Sequence, residues 1–368
     1  MAVPQSVTDS YDAELTAGGR KFMPRLRDNI TKGMKYLALL DSKGRIEEID
    51  GGYQVEVPLM YALNNTADVM GGYGIVNTTP QDGMTAALYD WSQMAVSITI
   101  SKKEKIRNKG PKKFDLLQAK IKQAETSLKY LYSRCLVQGY IAASGASGSI
   151  GRIPGKIDPT QYGPLPLGAL IDITPTRSRT DIGGINPNTY GWWANQATSS
   201  TATTFAGFKK ELYTLYNNCS RGNEGGSPDI FLGGQTAFEQ YHNSLQAQEQ
   251  YVDMKVVNLL NGAENLKVKG AVFIWDELVP DTETNAIPDG DGAGTAVGTM
   301  TVDTVFAINS EYVHIKVARD ANFSMSPFVQ SDNQVGVSTA IIDWMGVHAV
   351  SNRRKCGQLY GIAKTIAS

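Results

Sequence analysis

Three histidines and three cysteines are the side chains in this sequence that could carry metal or nucleophilic chemistry. The histidines are far apart: His242, His314 and His348. None has a second ligand at the spacing of a zinc motif, so we interpret each as a surface or packed structural residue. The cysteines are equally dispersed: Cys135, Cys219 and Cys356. An odd, unpatterned set favours a reducing compartment over a disulfide framework.

The segment NTYGWWANQ, residues 188–196, is the best candidate for ligand binding. Trp192 and Trp193 could offer a stacking face to a sugar, with Asn195 and Gln196 as polar contacts. The alternative is that the two indoles anchor a loop on a core. We favour the anchor, because no nearby carboxylate pair of the kind used in glycoside hydrolysis accompanies them. We expect no enzymatic activity, cofactor or metal, and keep a carbohydrate-binding or carbohydrate-active protein as the alternative function.

The most uneven charge lies in SKKEKIRNKGPKK, residues 101–113, with seven basic residues and one acid, Glu104. The whole chain is balanced, with 35 basic and 36 acidic residues, whereas a nucleic-acid-binding module usually has a basic surplus. Lysines at a helix N-terminus oppose the helix dipole, which favours an external anion nearby. A solvated face, phosphate contact and an acidic protein partner all remain open for this run.

The segment before this run has the opposite charge. Neither Lys nor Arg occurs between Ile46 and Ser101. We expect the acids of one copy to approach the bases of a neighbouring copy, because ring-forming contacts need two different complementary patches on each subunit. The candidate interface residues are Glu47, Glu48, Asp50, Glu56, Asp68, Asp82, Lys102, Lys103, Lys105, Arg107, Lys109, Lys112 and Lys113.

Hydrophobic periodicity predicts the elements that carry these charges. Residues 51–61 and 93–100 read as the two strands of a long excursion that needs a partner surface, because an isolated ribbon is only marginally stable. Residues 111–144 predict one long amphipathic helix of about 48 Å. The remaining predictions are helices at 205–219 and 235–262, strands at 168–173, 229–234, 268–279, 301–318 and within 335–362, and a loop at 282–299.

Length and composition limit the class of protein. The chain has 368 residues and 42% hydrophobic residues, enough for one or two packed cores. The N-terminus lacks the pattern of a signal peptide, and no segment reaches the roughly 20 apolar residues that cross a bilayer. We therefore expect an intracellular product that does not bind a membrane.

The order of these elements resembles the major capsid protein of tailed bacteriophages, which has the HK97-like fold, over about residues 20–362. YDWSQMAVSITISKKEKIRNKG, residues 89–110, is similar to the end of that family's extended loop. FDLLQAKIKQAETSLKYLY, residues 114–132, is similar to its spine helix, and IGGINPNTYGWWANQ, residues 182–196, is similar to a stretch in one branch.

The resemblance implies an α+β fold. Its expected parts are an N-terminal arm (1–45), an extended β-hairpin loop (46–101), a peripheral domain with the spine helix (102–149), a mixed α/β axial domain (150–335) and returning C-terminal strands (336–368).

The resemblance also implies a function. Hexamers and pentamers would close into an icosahedral shell around double-stranded DNA, in a virion assembled in the host bacterial cytoplasm. The expected partners are other copies, a portal protein, decoration proteins, and either a separate scaffolding protein or none, since no scaffolding segment precedes the loop. Some members of the family join subunits by a bond from an extended-loop lysine to an asparagine. We expect no such bond, because residues 46–101 contain no lysine.

Overall fold

The computed structural model describes residues 35–75, 77–107, 116–138, 141–143, 150–152, 164–178, 182–222, 226–245, 266–279, 281, 303–330 and 336–364. The described residues fall into two units. The smaller unit contains residues of 94–131 and 321–344, and the larger unit contains residues of 33–93, 132–320 and 345–368.

Helices and strands alternate along the chain. In order they are α1 Lys35–Ser42, β1 Ile46–Ile49, β2 Val55–Met60, β3 Met84–Tyr89, β4 Ser92–Ser101, α2 Lys102–Arg107, α3 Leu116–Gln138, β5 Ile141–Ala143, β6 Ile150–Arg152, α4 Leu167–Leu170, β7 Gln196–Ser199, α5 Phe205–Ser220, β8 Ile230–Gly233, α6 Gln235–Ser244, β9 Leu266–Val268, β10 Ala271–Trp275, β11 Val305–Ile308, β12 Val313–Met325, β13 Val329–Gln330, β14 Val337–Val350 and β15 Gly357–Tyr360. Within this part of the chain, no helix is long and apolar enough to cross a membrane.

The larger unit is built on a six-stranded sheet in the order β7-β15-β11-β8-β10-β9. All residues of β8 and β11 are buried, as expected for central strands covered on both faces. Helices α5 and α6 contribute Phe208, Leu212 and Phe238 to the same core as Phe231 and Phe273 of the sheet. The predicted helix at 205–219 and the predicted strand at 229–234 are thereby confirmed.

In the smaller unit, β14 pairs with β4 and, through Val329 and Thr339, with β13. The part of α3 in this unit buries Ala124 and Leu128, two residues of the apolar stripe seen in the sequence. The prediction of extended strands that turn and return near the C-terminus is confirmed by β14 and β15.

Helix α3 is shorter than predicted. It has 23 residues, a length of about 35 Å, and ends at Gln138. Residues Ile141–Ala143, which we assigned to the helix, form a strand that pairs with β6. Gly139 follows Gln138 in the sequence, and glycine is the commonest residue just beyond a helix end.

The predicted strands at 51–61 and 93–100 are confirmed by β2 and β4, but their pairing with each other is wrong, and so is the predicted strand at 168–173. Strand β2 pairs with β3, from Val55↔Tyr89 to Met60↔Met84, and not with residues 93–100. Residues 93–100 lie in β4, which pairs with β14. The predicted strand at 168–173 is largely replaced by the short buried helix α4, which begins directly after Pro166, an N-cap residue with extended backbone.

Candidate interaction surface

The ribbon, defined as residues 53–89 with β2, β3 and the loop between them, exposes large apolar side chains to solvent. Ten of the fifteen exposed large hydrophobic residues in the described chain lie on it: Tyr53, Met60, Tyr61, Leu63, Val69, Met70, Tyr73, Ile75, Met84 and Leu88. Val69 is 97% exposed and Ile75 is 94% exposed. A cluster of exposed apolar residues of this size marks a surface that another molecule covers.

The base of the ribbon is fixed to the larger unit. The amide of Leu88 donates to the carbonyl oxygen of Gly183 over 3.2 Å, and the hydroxyl of Tyr89 donates to the carbonyl oxygen of Val350 over 2.7 Å. Ala87 and Tyr89 are buried there. The base of the ribbon is therefore anchored. The loop residues 61–83, which we call the ribbon tip, extend from it and have no core of their own.

The tryptophan pair supports the ribbon. Trp193 is buried and its indole nitrogen donates to the carbonyl oxygen of Ile182 over 3.2 Å. Trp192 stacks on Tyr61 of the ribbon, with ring centroids 5.6 Å apart. This geometry favours the anchor interpretation.

The polar residues proposed as sugar contacts do not form a binding face. Asn195 is buried, and its side-chain oxygen accepts from the amide of Asp172 and from the guanidinium of Arg353, each over 3.1 Å. Gln196 is the first residue of β7 and pairs with Gly357. Nothing in this geometry therefore favours a sugar site.

The structure places the six acidic candidates in two groups. Glu47, Glu48 and Asp50 lie in or beside β1, and Glu56, Asp68 and Asp82 lie on the ribbon.

The acids near β1 have partners within the chain. Glu47 is 3.6 Å from the Nδ1 of His314 and 3.9 Å from the Nζ of Lys316. Asp50 is 2.6 Å from a guanidinium nitrogen of Arg319. These contacts run between β1 and β12, which are parallel neighbours in the larger unit, so they stabilise the subunit itself.

The acids on the ribbon are exposed: Glu56, Asp68 and Asp82. Among the described residues, no lysine, arginine or histidine lies within ion-pair distance of any of the three. They remain the acidic candidates best placed to meet a basic partner.

The basic run begins with a short helix of its own, α2, which the sequence prediction missed because it began the long helix only at residue 111. Lys102 and Lys103 are exposed on it, and Lys105 and Arg107 belong to the same helix. Lys109, Lys112 and Lys113 lie outside the described residues.

Glu104 holds α2 in place. Its carboxylate accepts from the amide of Ser101 over 2.8 Å, and the hydroxyl of Ser101 accepts from the amide of Glu104 over 3.2 Å. This is a capping box, and its S-x-x-E pattern can be seen in the sequence. The ammonium of Lys120 on α3 lies 3.0 Å from the same carboxylate. Although burial acts to raise the pKa of Glu104, the hydrogen bonds from Ser101 and Lys120 lower it.

The three histidines lie in three different parts of the larger unit. His348 is buried, with its Nδ1 2.7 Å from the carbonyl oxygen of Leu165 and its Nε2 3.0 Å from the hydroxyl of Tyr36. His314 belongs to the β1–β12 contacts, and His242 lies in the last turn of α6.

The three cysteines are buried and free. Burial raises the pKa of Cys135 and of Cys356 to about 12, and it also raises that of Cys219. A thiol with such a pKa is a poor nucleophile at neutral pH. In the described part of the chain, no three His, Cys, Asp or Glu side chains come together as a metal site.

Comparison with known proteins identifies the architecture. No protein-family model and no curated protein sequence matches the chain. Solved structures do match it along nearly its whole length. The capsid of Cyanophage A-1(L) is similar with a TM-score of 0.58 and 13% identity, over 92% of this chain and 96% of that chain.

Two further structures have the same architecture. The encapsulin SrpI of Synechococcus elongatus PCC 7942 matches with a TM-score of 0.55 and 12% identity, over 100% of this chain and 99% of that one. The capsid of Cyanophage P-SCSP1u matches with a TM-score of 0.53 and 12% identity, over 93% and 92% of the two chains. At these identities, the likeness concerns the fold.

Proposed function

Because the chain has the HK97-like fold, we propose that it is the major capsid protein of a tailed bacteriophage. In this proposal it forms hexamers and pentamers that close into an icosahedral shell around double-stranded DNA. The single observation that carries the proposal is the ribbon, whose base is anchored in the subunit and whose apolar tip is exposed. In this proposal another copy of the chain packs against the exposed tip and covers it.

Complementary charges orient the proposed contact between neighbouring copies. A ring of identical subunits needs two different complementary patches on each copy. We propose that Glu56, Asp68 and Asp82 of the ribbon approach the basic run of a neighbouring copy, beginning with Lys102 and Lys103. Charges at the rim of an interface set orientation and register more than affinity, and the exposed apolar side chains supply the larger part of the binding energy.

The remaining partners follow from the same proposal. The particle also contains a portal protein and decoration proteins, and it forms in the host bacterial cytoplasm. Its assembly uses either a separate scaffolding protein or none. In this proposal the shell contacts the packaged DNA without sequence specificity. The shell is held by non-covalent contacts, since the ribbon lacks the lysine that a bond to asparagine requires.

The test is assembly of the expressed protein, followed by sedimentation and negative-stain electron microscopy. We expect the wild-type chain to form large closed particles without any added ligand. The variant Val69→Ser, Tyr73→Ser, Ile75→Ser removes three exposed apolar side chains from the ribbon tip, and we expect it to remain as small, folded species. Circular dichroism confirms that this variant has kept the fold.

A matched control changes three exposed polar residues of the same tip: Asn65→Ser, Thr78→Ser and Gln81→Ser. This control should assemble as the wild type does. Equal assembly of the apolar variant would contradict the role of the ribbon. A wild-type protein that stays monomeric and gains thermal stability with a glycan would favour the carbohydrate-binding alternative. Particles that never enclose DNA during infection would contradict the genome-containing part of the proposal.

A further inference from the structure

The turn between β9 and β10 carries an exposed lysine in an unusual backbone conformation. Lys269 has a φ of 56° and is followed by Gly270. Among residues other than glycine, the left-handed region is most often occupied by asparagine, aspartate or histidine. Asparagine followed by glycine is a preferred choice for a tight hairpin turn. A lysine at this position therefore indicates a role for its side chain, since its backbone is unfavourable there.

The side chain of Lys269 is held against helix α5. Its ammonium lies 5.2 Å from the ring centroid of Tyr213 and 5.3 Å from that of Tyr216. It also donates to the side-chain oxygen of Asn217 over 2.6 Å. The ammonium of Lys209 lies 5.9 Å from the ring centroid of Tyr213. Two positive groups are thus held around one tyrosine ring by cation–π contacts.

The ammonium of Lys269 keeps donors for an anion. A lysine ammonium has three N–H donors. In the described part of the chain, Asn217 is the only hydrogen-bond acceptor of Lys269. Because the two rings and the amide already fix the side chain, an anion that binds there orders less side-chain freedom than it would at a freely rotating lysine.

The surrounding surface has an excess of positive charge. Helix α5, strands β9 and β10 and the turn between them contain four lysines and one acid, Glu211. The carboxylate of Glu211 already accepts from the hydroxyl of Ser200 over 2.7 Å and from the amide of Thr201 over 2.9 Å. Among the described residues, no carboxylate pairs with Lys210 or Lys269.

No apolar centre accompanies these charges. None of the exposed large hydrophobic residues in the described chain lies on α5, β9 or β10. A protein–protein interface usually has an apolar core within a polar rim, whereas nucleic-acid phosphates are neutralised mainly by lysine and arginine. The surface therefore fits a phosphate backbone better than it fits another protein. We call it the lysine–tyrosine patch, which consists of Lys209, Lys210, Tyr213, Tyr216, Asn217 and Lys269.

We propose that the lysine–tyrosine patch binds the phosphate backbone of double-stranded DNA without reading its sequence. The inference rests on the proposed shell function, under which this surface of the larger unit contacts the packaged genome. One patch supplies only a few contacts, but a shell repeats it in every copy, and linked weak contacts give a much stronger total. The basic run, which has the exposed apolar Ile106 beside its lysines, remains the surface for a neighbouring copy.

The test measures binding of a fluorescent DNA duplex to the full-length protein, taken as small species separated from particles by gel filtration. The logarithm of the binding constant falls linearly with the logarithm of the salt concentration, by about 0.9 for each phosphate neutralised in B-form DNA. We expect wild type to show this salt dependence and to bind two duplexes of equal length and unrelated sequence equally well.

The variant Lys209→Gln, Lys210→Gln, Lys269→Asn removes three charges from the patch. It should bind the duplex more weakly at low salt, with a slope flatter by about 2.7. The single variant Lys269→Asn should flatten the slope by about 0.9 and keep the melting temperature of wild type, because asparagine adopts the left-handed conformation more readily. A merely structural role for Lys269 would lower the melting temperature and leave the slope unchanged.

The matched control removes the same charge from the basic run: Lys102→Gln, Lys103→Gln and Lys105→Gln. This control should keep the slope of wild type. The proposal is overturned if wild type does not bind the duplex at low salt, or if the control flattens the slope as much as the patch variant does. If the triple patch variant does not fold, the slope of Lys269→Asn decides, and a slope equal to that of wild type overturns the proposal.

Sedimentation of the same proteins keeps the two hypotheses apart. We expect the patch variant to form particles as wild type does. A patch variant that binds DNA normally but no longer forms particles would show that the patch meets another copy of the chain, which overturns the proposal. A wild-type protein that forms no particles would contradict the shell function, whereas the DNA-binding slopes decide the role of the patch separately.

Discussion

At the scale of single residues, His348 shows how burial fixes a protonation state. The carbonyl oxygen of Leu165 can only accept a hydrogen bond, so the Nδ1 of His348 carries the proton, and the Nε2 accepts from the hydroxyl of Tyr36. Burial lowers the pKa of His348 to about 4, although the contact with Leu165 acts in the opposite direction. The neutral ring joins α1, β14 and the segment before α4.

This arrangement predicts how stability depends on pH. Between pH 6.5, the usual value for histidine, and about 4, the unfolded chain binds a proton at His348 that the folded chain does not bind. The contribution is therefore complete above pH 6.5 and is lost as the pH falls towards 4, with a full size of roughly 3 kcal/mol. We expect His348→Gln to be less stable at pH 7 and to show a weaker loss of stability between pH 7 and 4.5.

Urea unfolding of both proteins at a series of pH values measures the effect. His242→Gln serves as the matched control, because it replaces a histidine that is only half-buried. An unchanged pH dependence in His348→Gln would mean that the histidine does not titrate on unfolding as its burial requires.

Residue roles were predictable from the sequence only where they are local. The S-x-x-E pattern of Ser101 and Glu104 could have located the start of α2, and an amphipathic period did locate α5. The burial of Arg353 was not predictable. Its guanidinium donates to Leu170, Trp193 and Asn195, residues about 160 to 180 positions away, and a buried charge is tolerated only with such partners.

At the scale of elements, the ribbon depends on a close approach of two backbones. Gly183 has a φ of 66° and faces the ribbon strand β3, where a Cβ would come within 2.7 Å of the Cβ of Ala87. The neighbouring Gly184 has a φ of 73°, but a Cβ there would meet nothing within 4 Å. Comparing substitutions at the two glycines therefore separates two free-energy costs, that of the left-handed backbone conformation and that of the contact with Ala87.

We expect Gly184→Ala to destabilise the protein by about 1–2 kcal/mol, the cost of a left-handed conformation for alanine. Gly183→Ala should cost more, because the ribbon base must also move away. Hydrogen exchange at the amide of Leu88, which donates to Gly183, measures the movement directly. Equal exchange at Leu88 in the two variants would show that the contact with Ala87 does not hold the ribbon.

Helices and strands were predictable where a single hydrophobic period dominates the segment. Strand β2 and helix α5 each have a single buried face, and the sequence predicted both. The partner of β2 was missed because MTAALY of β3 has weak strand propensity, while the stronger strand β4 pairs elsewhere. The length of α3 was overestimated because its apolar spacing continues past Gly139 into residues that pair as a strand.

At the scale of the whole molecule, charge segregation along the chain was evident from the sequence, and the exposed apolar character of the ribbon was not recognised. In the sequence, the apolar residues of the tip are interspersed with glycine, asparagine and threonine, so their pattern did not indicate that they lie outside any core. These residues are Leu63, Val69, Tyr73 and Ile75. The surface proposed from charge alone is therefore incomplete. The structure adds the apolar contribution and removes Glu47 and Asp50 from the set of acids free to meet a partner.

The combined surface predicts two separable effects on assembly. Loss of the apolar tip should abolish particles at every ionic strength, because apolar burial does not require charge. The triple change Lys102→Glu, Lys103→Glu, Lys105→Glu should lower the yield most at low salt, where repulsion between like charges is least screened, and salt should partly restore it. The neutral version, Gln at the same three positions, should lie between the reversed variant and wild type.

Sedimentation of the three proteins across a salt series gives the measurement, with circular dichroism to confirm that each retains the helix content of wild type. Glu104 is left unchanged in every variant, so the capping box of α2 and its contact with Lys120 persist. If charge reversal changes neither the particle yield nor its salt dependence, the basic run does not meet the acidic ribbon. The apolar tip would then hold neighbouring copies without help from the basic run.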